Sequence, residues 1–242
     1  MPVHNWKGID DGVFHDLHCS WIAELKRVLN GGLLPPSYYA MSEQRTGNIG
    51  PDMLALEVDE IEGSNSGGTA VMAPPKVAMV KTFDVLAYVN RQNSIIIRHA
   101  TDDRIVAVLE IVSRGNKSGK ANFESFMEKA HGCLDHRIHF TYVDVHPPGQ
   151  FDPYGIHGAL CLENGDDPPA IPSGKTLSAA GYESADIVSA YVNPFGVGDI
   201  IPVTPLYLRS KYYVMLPFEE TYIAAFASFP QRLRTRIESN VK

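Results

Sequence analysis

One stretch limits the architecture more than any other: Ile105 to Val112 is apolar at every position except Glu110. A short apolar run rich in branched side chains reads as a strand buried on both faces. Such a strand requires a sheet covered by helices on each side. The chain of 242 residues, with 44% hydrophobic residues, can bury a core of that kind.

The surrounding periodicities fit an α/β fold. Apolar residues at Val13, Phe14, Leu17, Trp21, Ile22, Leu25, Val28 and Leu29 form one helical stripe. Asp10 or Asp11 can cap that helix and Asn30-Gly31-Gly32 can end it. Strand patterns follow at Tyr38–Gln44, Asp52–Val58, Val85–Val89 and Ser94–His99, with a Gly-, Ser- and Pro-rich loop over 59–82. After the 105–112 strand come a turn, a helix of about 119–132 capped by Ser118, and a strand at Ile138–Val145. The inner stripe of that helix is Phe123, Phe126, Met127 and Ala130. Ten of the 17 prolines lie between Pro147 and Pro217. Residues 147–242 therefore read as a proline-rich C-terminal extension packed on a core of residues 1–146. Within it are strand patterns at Asp186–Val192 and Tyr212–Leu216 and a final helix over Glu219–Ser239, disturbed by Pro230.

No apolar run is long enough to cross a bilayer, and Met1 to Asp11 lacks the pattern of a signal peptide. Cys19, Cys133 and Cys161 have no pairing or metal spacing, so a reducing, cytoplasmic setting is expected. The net charge of -7 opposes broad attraction to nucleic acid. Arg114, Lys117 and Lys120 form a local basic exception.

Glu110 is the residue most suggestive of chemistry. A carboxylate in a buried strand is costly unless it is paired, protonated or bound to a cation. Asp52, after Pro51, opens an earlier strand. Two carboxylates at one sheet edge can hold Mg²⁺ or Mn²⁺, which activates water and offsets charge growing on a phosphate. Lys117, just past the Glu110 strand, or Lys129, on the next helix, can then assist the water or the transition state. Glu43, one strand earlier, can serve as an outer acid. Each has a plainer explanation. Glu110 can be satisfied by Arg98, Arg104 or a backbone amide, and Asp52 can end a turn. Lys117 can be a solvated charge, and Lys129 can cover apolar surface with its stem.

The order of elements and acids resembles the PD-(D/E)XK superfamily, in which an Asp opens one strand, an acid-x-Lys pair lies on the next, and a helix follows. Pro51-Asp52 and Glu110-Ile111-Val112 carry the likeness, and Val112 stands in the usual lysine slot. A second resemblance covers nearly the whole chain. Leu33-Leu34-Pro35-Pro36-Ser37-Tyr38-Tyr39-Ala40, the segment Glu110 to Lys117, Asp152-Pro153-Tyr154-Gly155-Ile156-His157-Gly158 and Pro202 to Leu208 look like the bacterial domain-of-unknown-function family four-zero-five-eight. Its members usually have Pro where this chain has Arg114. The chain is also similar to Uma-type endonuclease-like proteins, which share a strand acid followed by Ser. These resemblances imply a restriction-endonuclease-like central mixed sheet flanked by helices. They also imply a metal-dependent hydrolase of phosphodiester bonds in nucleic acid, with Asp52 and Glu110 on the metal.

Two rival readings remain. One is a binding protein that keeps the fold without the chemistry, favoured by Val112 and the acidic composition. The other is an enzyme of another class built on His157 and Asp152. His15, His18 and Cys19 share a helix face but lack further metal ligands.

Overall fold

The computed structural model describes residues 3–44, 79–83 and 93–239; for residues 43, 44, 79–83 and 93 only the backbone is described. The strand patterns at Asp52–Val58 and Val85–Val89 lie outside these residues, as does Asp52 itself.

Helix α1 spans Asp11–Val28, with the Asp10 side chain accepting from Gly12 N–H. It passes into a π-helical turn, Leu29–Leu33, within which Gly32 leaves the helical path at φ +117°. Glycine adopts that conformation without a Cβ penalty. Strands β1 (Tyr38–Gln44), β2 (Met79–Phe83), β3 (Asn93–His99) and β4 (Ile105–Ile111) follow, so the end of the expected 59–82 loop is in fact strand. Next come the short helix α2 (Arg114–Lys117), α3 (Lys120–Asp135) and β5 (His139–Asp144). Ser113 and Asn116 form a reciprocal cap on α2, whereas α3 has Gly119, not Ser118, at its N-cap.

The later half contains α4 (Gly155–Glu163), β6 (Leu177–Glu183), β7 (Val188–Phe195), β8 (Thr204–Arg209), β9 (Tyr212–Leu216), α5 (Phe218–Ala227) and α6 (Gln231–Glu238). Pro230 divides the expected final helix into α5 and α6. It takes the N-cap place of α6, where a missing N–H costs least.

Among the described residues seven strands form one mixed sheet in the order β1-β3-β4-β5-β6-β7-β2. Of these pairings only β4–β5 is parallel, and α2 and α3 supply the crossover that a parallel pair needs. Residues 147–242, read from the sequence as an extension on the core, contribute β6 and β7 to this sheet itself.

Alternation along the central strands divides the core in two. Ile95, Ile97, Leu109 and Ile111 face α1, α5 and the β8–β9 hairpin through Phe14, Leu17, Trp21, Leu206, Val214, Phe218 and Phe226. Ile96, Val108, Val112, Phe140 and Tyr182 face α3 and α4 through Phe123, Phe126, Met127, Ile156 and Leu160. Glu110 has the parity of Val108 and Val112, so it stands on the α3 side. The hairpin lies close against β6 at Gly181, where an added Cβ would meet Pro205 O at 2.1 Å.

Candidate active site

The register pairs Glu43 with Ser94 and places Glu110, Tyr142, Ala180 and Val192 in one row, and a side-chain hydrogen bond joins Ser94 to Glu110. Glu110, only 1% exposed, is the acid of that row. Its carboxylate is not held by Arg98 or Arg104. Arg98 Nη1 donates to Asp103 O, and Arg104 lies 3.7 Å from Asp102. Lys129 supplies the charge instead, with Nζ 2.8 Å from Glu110 Oε1. Ser94 Oγ also donates to Oε1, from the neighbouring strand. Lys129 Nζ lies 3.4 Å from Ser94 Oγ as well, which closes a three-membered polar cluster.

Both donors converge on one oxygen of Glu110. Among the described residues no hydrogen-bond donor reaches Oε2. Oε2 is therefore the oxygen through which Glu110 could meet a cation. Lys129 reaches the cluster because it lies on the buried side of α3 with Phe126 and Ala130. Its stem packs there, with Nζ 5.9 Å from the centroid of the Phe126 ring.

Lys117 goes elsewhere. Its Nζ lies 2.5 Å from Asp144 Oδ2 and 2.7 Å from Asp152 Oδ2, and it donates to the His146 carbonyl at 3.0 Å. It fastens α2 to the end of β5 and to the loop that leads into α4. Burial alone would lower its pKa, but the two aspartates raise it above the ordinary lysine value. Burial raises that of Asp144, with Lys117 pulling the other way. Lys117 and Asp152 thus act together as an internal clamp, a pairing the sequence reading did not make.

The basic stretch after β4 does not form a patch. Arg114 is 2.6 Å from Asp11, Lys117 is enclosed by its two aspartates, and Lys120 lies 3.5 Å from Glu124. Each cation already faces an acid, so little net positive potential is left for a phosphate backbone.

The histidines separate as well. His18 turns inward and donates from Nε2 to Ile111 O at 2.9 Å. His15 and Cys19 remain on the outer side of α1, 3.7 Å apart. His157 opens α4 and contacts the Tyr182 hydroxyl at 2.9 Å, so it does not join Asp152 in a catalytic pair.

The sequence reading missed Ser94 and Asp144. Asp144 carries the signal that singled out Glu110, an acid in an apolar strand, but lies near the strand end where an acid looks ordinary. Ser94 has no such signal; only the β3–β4 register reveals it.

Among the described residues no three His, Cys, Asp or Glu side chains gather as a metal site. Also among them, no helix is long and apolar enough to cross a membrane. No protein-family model matches the chain, and comparisons with curated proteins and with solved structures found no match.

Proposed function

We propose that the chain is a divalent-metal-dependent phosphodiester hydrolase with a restriction-endonuclease-like sheet, acting on nucleic acid. The observation that carries the reading is the state of Glu110. Its Oε1 is held by Lys129 and Ser94, while no donor reaches Oε2. Glu110 and Asp52 would hold Mg²⁺ or Mn²⁺, which when bound supplies an activated water and charge stabilisation. Within the chain, Lys129 orients the Glu110 carboxylate and brings a positive charge beside it, where charge on a phosphoryl oxygen would grow. Ser94 fixes the carboxylate rotamer. Lys117, fully occupied by Asp144 and Asp152, has no part in this chemistry.

Incubation of single- and double-stranded DNA and RNA with the protein and Mn²⁺ tests this reading. Cleavage is expected that chelation abolishes and that Glu110→Gln and Lys129→Met each reduce at least a hundredfold. Cleavage that survives both substitutions, or no cleavage of any substrate, would overturn it.

A second reading rests on the enclosure of the same cluster. Glu110 and Lys129 neutralise each other inside the core, as a structural ion pair in a binding protein would. It predicts unchanged partner binding once the pair is replaced by apolar residues.

A further inference from the structure

Three strands from Glu110 on the same face, a chain of buried hydroxyl and ring groups ends at a cleft. The cleft lies between the first turn of α4, residues 169–176 and strands β6 and β7. The cleft is open to solvent and small, with a cavity volume of about 40 Å³, more than a single water needs.

The polar chain starts in the core at Cys161, whose Sγ lies 3.7 Å from His157 Nε2. His157 Nδ1 contacts Tyr182 OH at 2.9 Å, and the Tyr182 ring lies 6.2 Å from that of Tyr142, centroid to centroid. The Tyr142 hydroxyl contacts Ser178 Oγ at 3.1 Å. Tyr142 and Tyr182 are fully buried, whereas Ser178 is half-buried in the cleft wall. Among the described residues the Ser178 hydroxyl has no other hydrogen-bond partner. A hydroxyl can donate one hydrogen bond and accept two, so with Tyr142 as its one partner Ser178 keeps hydrogen-bonding capacity for a group in the cleft.

The remaining lining is mostly apolar and includes Tyr154, Pro169, Ile171, Pro172, Leu177 and Val192. Tyr154 is 48% exposed, and its side chain lies against Gly158, where an added Cβ would meet Tyr154 Cβ at 2.4 Å. Gly158 therefore lets the tyrosine lie along the helix as one wall. Lys175, the lining residue with a full charge, is bound to Asp199 at 2.6 Å. No free charge is left to match a charged ligand.

We propose that this cleft binds a small uncharged ring compound with one hydrogen-bonding group, which meets Ser178 while the ring packs on Tyr154 and the prolines. Phenol, with benzoate as the charged control, tests this by amide NMR on the full chain. Saturable shifts at Gly155, Gly158 and Ser178 with phenol are expected, and weaker ones with benzoate. Ser178→Ala should weaken binding roughly fivefold, the scale of one hydrogen bond. Tyr154→Ala, on the rim and outside the polar chain, should also weaken it, and keeps the test informative if Ser178→Ala disturbs the core. Absence of saturable shifts, shifts elsewhere, equal binding of benzoate, or equal affinity in both variants would overturn the proposal.

Discussion

At the scale of single residues, the molecule depends on charges that it has taken out of water. Lys117 is the shared cationic partner of two aspartates that have almost no exposure, with side-chain values of 3% and 0%. Lys117→Met would leave both as uncompensated buried carboxylates, and a loss of about 3–5 kcal/mol is expected in urea unfolding. The Glu110–Lys129 pair should behave differently as a pair than as singles. Lys129→Met alone should cost about 3–5 kcal/mol, while Glu110→Leu with Lys129→Met should restore most of it, because a packed apolar pair has no desolvation cost. A double variant as unstable as the single would contradict that account.

The buried histidines set the response to acid. Burial lowers His4 to about 4 and His139 and His146 to about 3, and it also lowers His18. Above the unfolded value near 6.5 these rings are neutral in both states and the effect is absent. Below it the unfolded chain binds protons that the folded chain refuses, so stability falls as the pH drops. Each ring contributes up to about 1.4 kcal/mol per pH unit until its folded pKa is reached. Asp144 and Asp135, raised chiefly by burial, act in the opposite sense but are fewer. Urea midpoints should therefore decline steadily from pH 6.5 to 4, and a flat profile would count against it.

At the scale of elements, two contacts keep the sheet in order. Among the described residues β1 is an edge strand, and Asn30 covers it, accepting from Ala40 N–H at 2.8 Å and donating to Ala40 O at 2.9 Å. An uncovered edge invites pairing with another chain. Asn30→Ala should lower stability by about 1–2 kcal/mol and promote concentration-dependent association in size-exclusion chromatography. Gly181 admits the β8–β9 hairpin so closely that Gly181→Ala should cost at least about 1–3 kcal/mol by overpacking against Pro205.

Much of this level was legible in the sequence. Tyr38–Gln44 was found to the residue, and the helix and strands around Glu110 to within a few positions, because their apolar periods are strong. What escaped was non-local. Strands β6 and β8 contain Gly181 and Pro205, which read as breakers until the close approach of the two segments explains them. α4 was hidden by the prolines and glycines around it, with His157 read from the sequence as part of a Gly-rich loop. The site divides in the same way. Glu110 was evident from its strand, and Lys129 from its place beside an apolar stripe. The choice between Lys129 and Lys117 required knowing that β5 and the loop after it supply Asp144 and Asp152.

At the scale of the whole molecule, the seven-stranded sheet joins the two halves of the chain. β5, the last strand before residue 147, lies between β4 and β6, so a chain cut after residue 146 would expose a long central edge. Such a fragment should be unfolded or aggregated in circular dichroism and light scattering. The acidic balance, with 28 Asp and Glu against 21 Lys and Arg, and the pairing of Arg114, Lys117 and Lys120 with acids bear on substrate capture. On the proposed function, an encounter with nucleic acid would rely on a bound cation more than on surface charge, and should depend less on salt than that of a basic nuclease.

The central claim is that Glu110 holds a divalent cation in a functional site. Calorimetric titration of Mn²⁺ into the wild type, Glu110→Gln and Lys117→Arg tests it most directly. The account predicts saturable binding in the wild type that is retained in Lys117→Arg and lost in Glu110→Gln. A folded wild type that binds no Mn²⁺, or binding unchanged in Glu110→Gln, would contradict it and leave the buried pair a structural one.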